Sequence, residues 1–230
     1  MRRIIFYDRC FDRSFMLEIM FTAPNGSLEG RYYRSQVLSA PIALILHPHP
    51  LHGGTMNNRV TYELYRVFGE MGFSVMRYNS PGVGRSQEQF DDDEAGEISA
   101  AAAALDWLQT THPYANDIWI VGYSFGAFVG MQLLMRRPEI TGWVNVAPLV
   151  THYDFSFLAP CPCSGLIIAG GMDKMAPATA IRKLVNKLNV QENIAVDYYV
   201  LNEANHVFSG HIDKITMVVK DYVTKAIMVS

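Results

Sequence analysis

The sequence predicts a doubly wound α/β fold, a mostly parallel sheet covered by helices on both faces and preceded by an antiparallel hairpin. Three observations carry this. Continuous apolar runs of strand length recur along the chain, helix-like stretches separate them, and two early segments alternate instead as half-buried strands do. At 230 residues the chain suits one domain, 1–230, with room for a full hydrophobic core.

Residues 17–22 and 28–35 alternate and form the expected hairpin. Residues 41–47 make the first buried strand, followed by a helix over 58–71 and a second strand at 73–78. A helix over 98–108, rich in alanine, leads to a strand at 117–122, and a helix over 127–135 leads to another at 140–146. The acidic run Asp91-Asp92-Asp93-Glu94 reads as the solvated start of the alanine-rich helix, favoured by the helix dipole. Residues 165–169 and 194–201 supply the last two strands, with a helix opening near Pro177 between them. Ile212, Ile215, Val218, Val219, Tyr222 and Ile227 then recur at helical spacing. Residues 147–164 are too few, and too interrupted by Pro148, Pro160 and Pro162, to hold a lid domain.

Half of the residues are hydrophobic and 18% are charged, as in ordinary globular proteins. The net charge of −3, with scattered lysines and arginines, leaves no footprint for nucleic acid. No apolar run approaches the roughly 18 to 20 residues needed to cross a bilayer. The basic start at Arg2 and Arg3 meets Asp8, Arg9, Asp12 and Arg13 before a signal-peptide core accumulates. Cys10, Cys161 and Cys163 make no disulfide framework, and Cys161-Pro162-Cys163 is not a CxxC pair. The expectation is a reduced, cytoplasmic protein acting on a small molecule, with no nucleic-acid or membrane partner and with homo-oligomerisation left open.

Gly122-Tyr123-Ser124-Phe125-Gly126 has the form G-x-S-x-G. Such a pentapeptide arises by chance in about one chain in ten of this length, so context decides. Here it joins the end of a buried strand to the start of a helix, the setting of a nucleophile elbow. Side chains at 122 and 126 would collide with neighbouring elements in so sharp a turn, and glycine removes them. The helix that follows offers the Phe125 N–H, beside the serine, to a developing oxyanion.

A serine hydroxyl needs a base, and the base needs a carboxylate to orient it. Asp173 follows the strand at 165–169 and so belongs at a strand's carboxyl end, on the same edge as Ser124. His206 lies between the last strand and the final helix, where it can swing over that edge. The order Ser, Asp, His fits the elbow. His211 is the rival base, but it is expected on the final helix, facing away.

His47-Pro48-His49-Pro50-Leu51-His52-Gly53-Gly54-Thr55 leaves the first buried strand. A loop here can supply a second oxyanion N–H. Pro48 and Pro50 have none to give, so His49 is the best-placed donor, with Leu51 behind it, and the prolines stiffen the loop. His47, His49 and His52 are also similar to the H-x-H-x-D-H signature of metallo-β-lactamase-fold hydrolases. Leu51 stands where the aspartate belongs, however, and no further His or Cys cluster completes a ligand set. No metal or other cofactor is expected, and Gly53-Gly54 is too little for a phosphate loop.

On these residues the chain resembles bacterial α/β-hydrolases that carry an HPHPLxGGTMxN segment, a group distantly similar to dienelactone hydrolases and small esterases. The likeness runs through 47–58, 77–86, 101–108, 122–126, 153–162, 170–177 and 204–210, and is most specific at 47–58 and 153–162. It implies the α/β-hydrolase fold, hydrolase activity, and Ser124, Asp173 and His206 as the triad. One departure is Tyr78-Asn79-Ser80-Pro81-Gly82-Val83-Gly84-Arg85-Ser86, where relatives read F-N-F-R-G-V-G-R-S and Pro81 replaces an arginine.

The expected activity is hydrolysis of a small ester-like substrate through an acyl-enzyme on Ser124, with the N–H groups of Phe125 and His49 holding the oxyanion. Leu51, Tyr123, Tyr153 and Phe155 are expected to meet the substrate, with Leu149 and Phe157 completing the wall. Lacking a lid, the site favours small or protruding acyl groups. Peptidase or acyltransferase chemistry would use the same residues. A non-catalytic binding protein on the same fold is the alternative class.

Overall fold

The computed structural model describes residues 13–24, 26–87 and 94–229. Strands β1 (Met16–Ala23) and β2 (Gly26–Tyr33) form the antiparallel hairpin, in register from Met16↔Tyr33 to Ala23↔Gly26. β2 also pairs antiparallel with β4 (Ser74–Tyr78). The other strands are β3 (Ile42–Leu46), β5 (Ile118–Tyr123), β6 (Gly142–Val146), β7 (Gly165–Gly170) and β8 (Val196–Leu201). Among the described residues they form one sheet in the order β1-β2-β4-β3-β5-β6-β7-β8, parallel from β4 onward. Every residue of β3 to β7 is buried, which is why those segments read as unbroken apolar runs. β8, at the sheet's edge, alternates exposed and covered positions.

The helices are α1 (Arg59–Glu70), α2 (Glu94–Thr111), α3 (Phe125–Leu134), α4 (Ala178–Leu188) and α5 (Ile212–Val229). Asn58 caps α1 by accepting the Val60 N–H at 3.0 Å. Trp119 on β5 faces Phe68 of α1 and Tyr222 of α5, both with ring centroids 6.2 Å away. Its neighbour Ile120 lies instead under Gly130 of α3, where an added Cβ would stand 2.8 Å from Ile120 Cγ2. Successive strand residues point to opposite faces, so α1 and α5 cover one side and α3, with α2 packed on it, covers the other. This is the doubly wound α/β architecture the sequence predicts.

Some boundaries differ from expectation. α2 begins at Glu94, the last residue of the acidic run read as its start, and runs past 108 to Thr111, because Gln109 continues the helix without continuing an apolar stripe. Asp91, Asp92 and Asp93 lie outside the described residues, as does Cys10. α3 begins at Phe125, two residues early, so Ser124 itself is its N-cap. His211 is not on the final helix. It sits in the turn just before α5, with Nδ1 2.8 Å from the Ser209 carbonyl. Between β6 and β7 there is a single short 3-10 turn, Ser156–Leu158, and no lid.

Registers such as Leu46↔Gly122, Tyr123↔Val146 and Gly170↔Leu201 bring the carboxyl ends of the parallel strands to one edge. The loops carrying His49, Ser124, Asp173 and His206 all leave from that edge. Trp143, wholly buried on β6, anchors this arrangement. Its ring lies over Gly165, and its Nε1 donates to the Cys163 carbonyl at 3.0 Å. Trp143→Ala should lower the unfolding free energy by about 3–5 kcal/mol in urea titrations, and a loss below about 1 kcal/mol would contradict this placement of the core.

Candidate active site

Ser124 joins β5 to α3 with φ 58° and ψ −115°, a conformation that non-glycine residues adopt only under constraint. Strain of this kind costs about 1–3 kcal/mol and persists where the surroundings over-determine it. Here the Ser124 N–H donates to the Val146 carbonyl at 2.9 Å and its own carbonyl accepts the Ala127 N–H at 3.1 Å. The flanking glycines are required by space. A Cβ at Gly122 would fall 2.4 Å from Ala127 Cα, and one at Gly126 would fall 2.4 Å from the Leu46 carbonyl oxygen. A serine at an N-cap ordinarily bonds its own helix, but this hydroxyl makes no capping bond. It is turned outward.

The outward hydroxyl meets His206, whose Nε2 is 3.0 Å from Ser124 Oγ. The other ring nitrogen, Nδ1, stands 2.7 Å from Asp173 Oδ2. Asp173 Oδ1 accepts the N–H groups of Met175 (2.8 Å) and Ala176 (2.9 Å). Burial opposes ionisation of this carboxyl, but the bond from His206 and the two backbone donors outweigh it and leave its pKa below the usual range. With a carboxylate on Nδ1, the imidazole carries its proton there and presents a lone pair to the serine. The two loops are sewn together, since Gly171 N–H donates to Leu201 and Met172 N–H to Ala204. Three side chains that sequence order had lined up are thus brought to one point.

The other expected site residues fall into two groups. The Phe125 N–H opens α3 and has no acceptor inside the helix. His49 packs its ring 4.5 Å from Phe125, and Leu51 beside it is well exposed. Tyr153 lies 5.3 Å from Phe125 and 4.6 Å from Phe128. Tyr123 is buried, as Ser124 and Phe125 are. Alternation along β5 turns it inward, where its hydroxyl donates to the His206 carbonyl at 2.9 Å and steadies that loop. Phe155 and Leu149 are likewise buried, Phe155 packing edge-on to Phe128 beneath the wall. Met172, Met175 and Val207, flanking Asp173 and His206, are exposed instead.

The three loop histidines do not converge. His47 is buried, with Nε2 accepting the Ser80 N–H at 3.0 Å and Nδ1 2.6 Å from the Pro48 carbonyl, while His49 and His52 lie 5.2 Å apart ring to ring. Among the described residues no group of three His, Cys, Asp or Glu is placed to hold a metal. Ser80 Oγ in turn donates to Glu97 Oε2 at 2.7 Å, inside α2. Sequence reasoning passes over this buried chain, whose only signal is a lone glutamate on the alanine face of a helix. Pro81, the departure from the relatives' pattern, occupies a turn closed by the Val83 N–H on the Ser80 carbonyl.

The fold is that of an α/β hydrolase. Residues 49–162 match the family described as serine aminopeptidase, S33. The chain is 46% identical over 211 residues to an uncharacterized protein of Rickettsia prowazekii (strain Madrid E), covering 90% of this chain and 88% of that one. It is 52% identical to a protein of unknown function from Agrobacterium tumefaciens, provisionally described as an α/β hydrolase. That crystal structure superposes with a TM-score of 0.89, covering 92% of this chain and 96% of that one. An α/β serine hydrolase homologue from Coxiella burnetii is 30% identical with a TM-score of 0.80, covering 88% and 94%. The chain belongs to the α/β serine hydrolases.

Glu97 is the second perturbed carboxyl at this edge. Burial drives its pKa up from 4.5 to about 7, only partly offset by the Ser80 hydroxyl. A raised carboxyl leaves the folded state unpenalised below the unfolded value and disfavoured once it must ionise. Glu97→Gln should therefore match wild-type stability below about pH 4.5 and exceed it by up to about 3 kcal/mol above pH 7. Urea melts across this range check the sign; a gain that is equal at all pH values would refute it.

Proposed function

We propose that this protein cleaves small ester-like substrates (carboxylic esters, thioesters or lactones) through an acyl-enzyme on Ser124, with His206 as base and Asp173 as its orienting acid. The observation carrying this reading is the unbroken line of contacts Ser124 Oγ–His206 Nε2, 3.0 Å, and His206 Nδ1–Asp173 Oδ2, 2.7 Å, built on a strained turn. His206 takes the hydroxyl proton as Ser124 attacks the carbonyl carbon, and Asp173 stabilises the imidazolium that results. The oxyanion forms against the N–H of Phe125 at the positive end of α3 and the N–H of His49. Collapse of the intermediate returns the proton to the leaving alkoxide or thiolate. Water, activated by the same histidine, then attacks the acyl-enzyme and frees the acid.

The substrate side supports small or protruding acyl groups. With no lid between β6 and β7, an acyl chain would pass half-buried Tyr153 and exposed Leu51. No cofactor enters these steps. The match of residues 49–162 to the serine aminopeptidase family favours peptide amides as a second reading, with the same three residues acting.

Ser124→Ala should abolish both hydrolysis of p-nitrophenyl acetate and labelling by a fluorophosphonate, whereas labelling that persists on another serine would reject the assignment. Asp173→Asn would offer an N–H to His206 Nδ1 and force the wrong tautomer, so kcat should fall by about 10⁴-fold in a protein that still folds. Turnover of peptide amides above that of esters, thioesters and lactones in a substrate panel would select the peptidase reading.

A further inference from the structure

Beneath the loop that carries His49 lies a buried histidine that the proton path does not use. The Ser80 backbone N–H donates to His47 Nε2 at 3.0 Å. A backbone N–H can only donate and a carbonyl can only accept, so in the neutral ring Nδ1 carries the proton and Nε2, which also stands 3.0 Å from the Ser80 hydroxyl oxygen, is the lone-pair nitrogen. Nδ1–H therefore donates to the Pro48 carbonyl, 2.6 Å away. Burial favours this neutral form, holding the His47 pKa down near 4 although the Pro48 carbonyl works the other way.

The geometry of the next peptide follows. The Pro48–His49 bond is trans, so its C=O and N–H point in opposite directions. Holding the carbonyl on the His47 side turns the His49 N–H to the far side. The peptide after His49 is set independently, its carbonyl accepting the N–H groups of His52 (3.1 Å) and Gly54 (3.0 Å). The loop is also pressed onto the start of α3. A Cβ at Gly126 would lie 2.6 Å from the His47 carbonyl oxygen, and the His49 ring packs on Phe125.

We propose that His47, as its Nδ1–H tautomer, is a positioning residue that anchors the Pro48 carbonyl and thereby aims the His49 N–H at the oxyanion formed on Ser124. The Ser80 N–H selects the tautomer, and the Ser80–Glu97 bond ties that peptide to α2. Without the anchor the 48–49 peptide is able to rotate and present its carbonyl dipole to the developing negative charge. This role presupposes Ser124 as the nucleophile.

Two substitutions separate the two sides of the ring. In His47→Gln the side-chain oxygen reaches the Nε2 position and accepts from Ser80, but nothing donates to Pro48. In His47→Asn the amide N–H takes the Nδ1 position and keeps the Pro48 bond. With p-nitrophenyl acetate, H47Q should lose about a hundredfold in kcat with KM nearly unchanged, as for a lost oxyanion donor. H47N should recover to within about tenfold of wild type. Labelling of Ser124 by a fluorophosphonate should slow in the same order.

Wild-type kcat in H47Q, or equal losses in both variants tracking their melting temperatures, would overturn the positioning role while Ser124 labelling stands. Failure of wild-type Ser124 to label would sink the nucleophile assignment and this role with it. Imidazole ¹⁵N spectra of the wild type, independent of any variant's folding, should show His47 protonated on Nδ1; a proton on Nε2 would also overturn it.

Discussion

The backbone of Ser124 is the constraint on which the rest of this edge depends. Its positive φ is tolerated because Val146 holds the N–H, Ala127 returns to the carbonyl, and two glycines remove the atoms that would block the turn. That geometry lifts the hydroxyl away from the helix it caps and delivers it to His206. It also places the Phe125 N–H, at the head of α3, next to the same oxygen. One strained residue thus brings together the proposed nucleophile, its proposed base and the positive end of a helix, and the tightly packed sheet beneath supplies the energy that holds it.

Two carboxyl groups near this edge are treated in opposite ways. Asp173 is desolvated but surrounded by donors, two backbone N–H groups and an imidazole, and is held ionised. Glu97 is desolvated with a single hydroxyl on one oxygen, and its other oxygen finds no partner among the described residues. Its proton is retained to higher pH. The contrast shows that burial alone does not determine charge at this edge; the count of donors does. A fixed negative charge stands beside the proposed base, where it would stabilise an imidazolium. A neutral group suits the packed layer under the loop that carries His49.

Much of this was legible without coordinates, for physical reasons. Strands buried on both faces must be apolar throughout, so β3, β5 and β7 announce themselves, and the G-x-S-x-G turn between strand and helix identifies Ser124. Asp173 and His206 follow from chain order and from the rule that parallel strands end on one edge. Features that depend on the direction of a single side chain were not legible. Tyr123 reads as a substrate contact, and nothing in its sequence setting announces the bond from its hydroxyl to the His206 carbonyl. His47 stands out only as one of three histidines in a metal-like pattern, yet its ring is bonded at both nitrogens, and its partner Ser80 lies 33 residues away with no pattern of its own. The last turn of α2 goes unseen because residues 109–111 continue the helix without periodicity.

The three residues at this point hang from strands of unequal security. Ser124 leaves β5, deep in the sheet, whereas His206 follows β8, the outermost strand, which among the described residues has a neighbour on one side only. Outer strands fray first, at free energies well below that of global unfolding. Small opening motions of that border carry the imidazole away while the elbow stays intact. Thermal inactivation is therefore expected to run ahead of the collapse of the sheet.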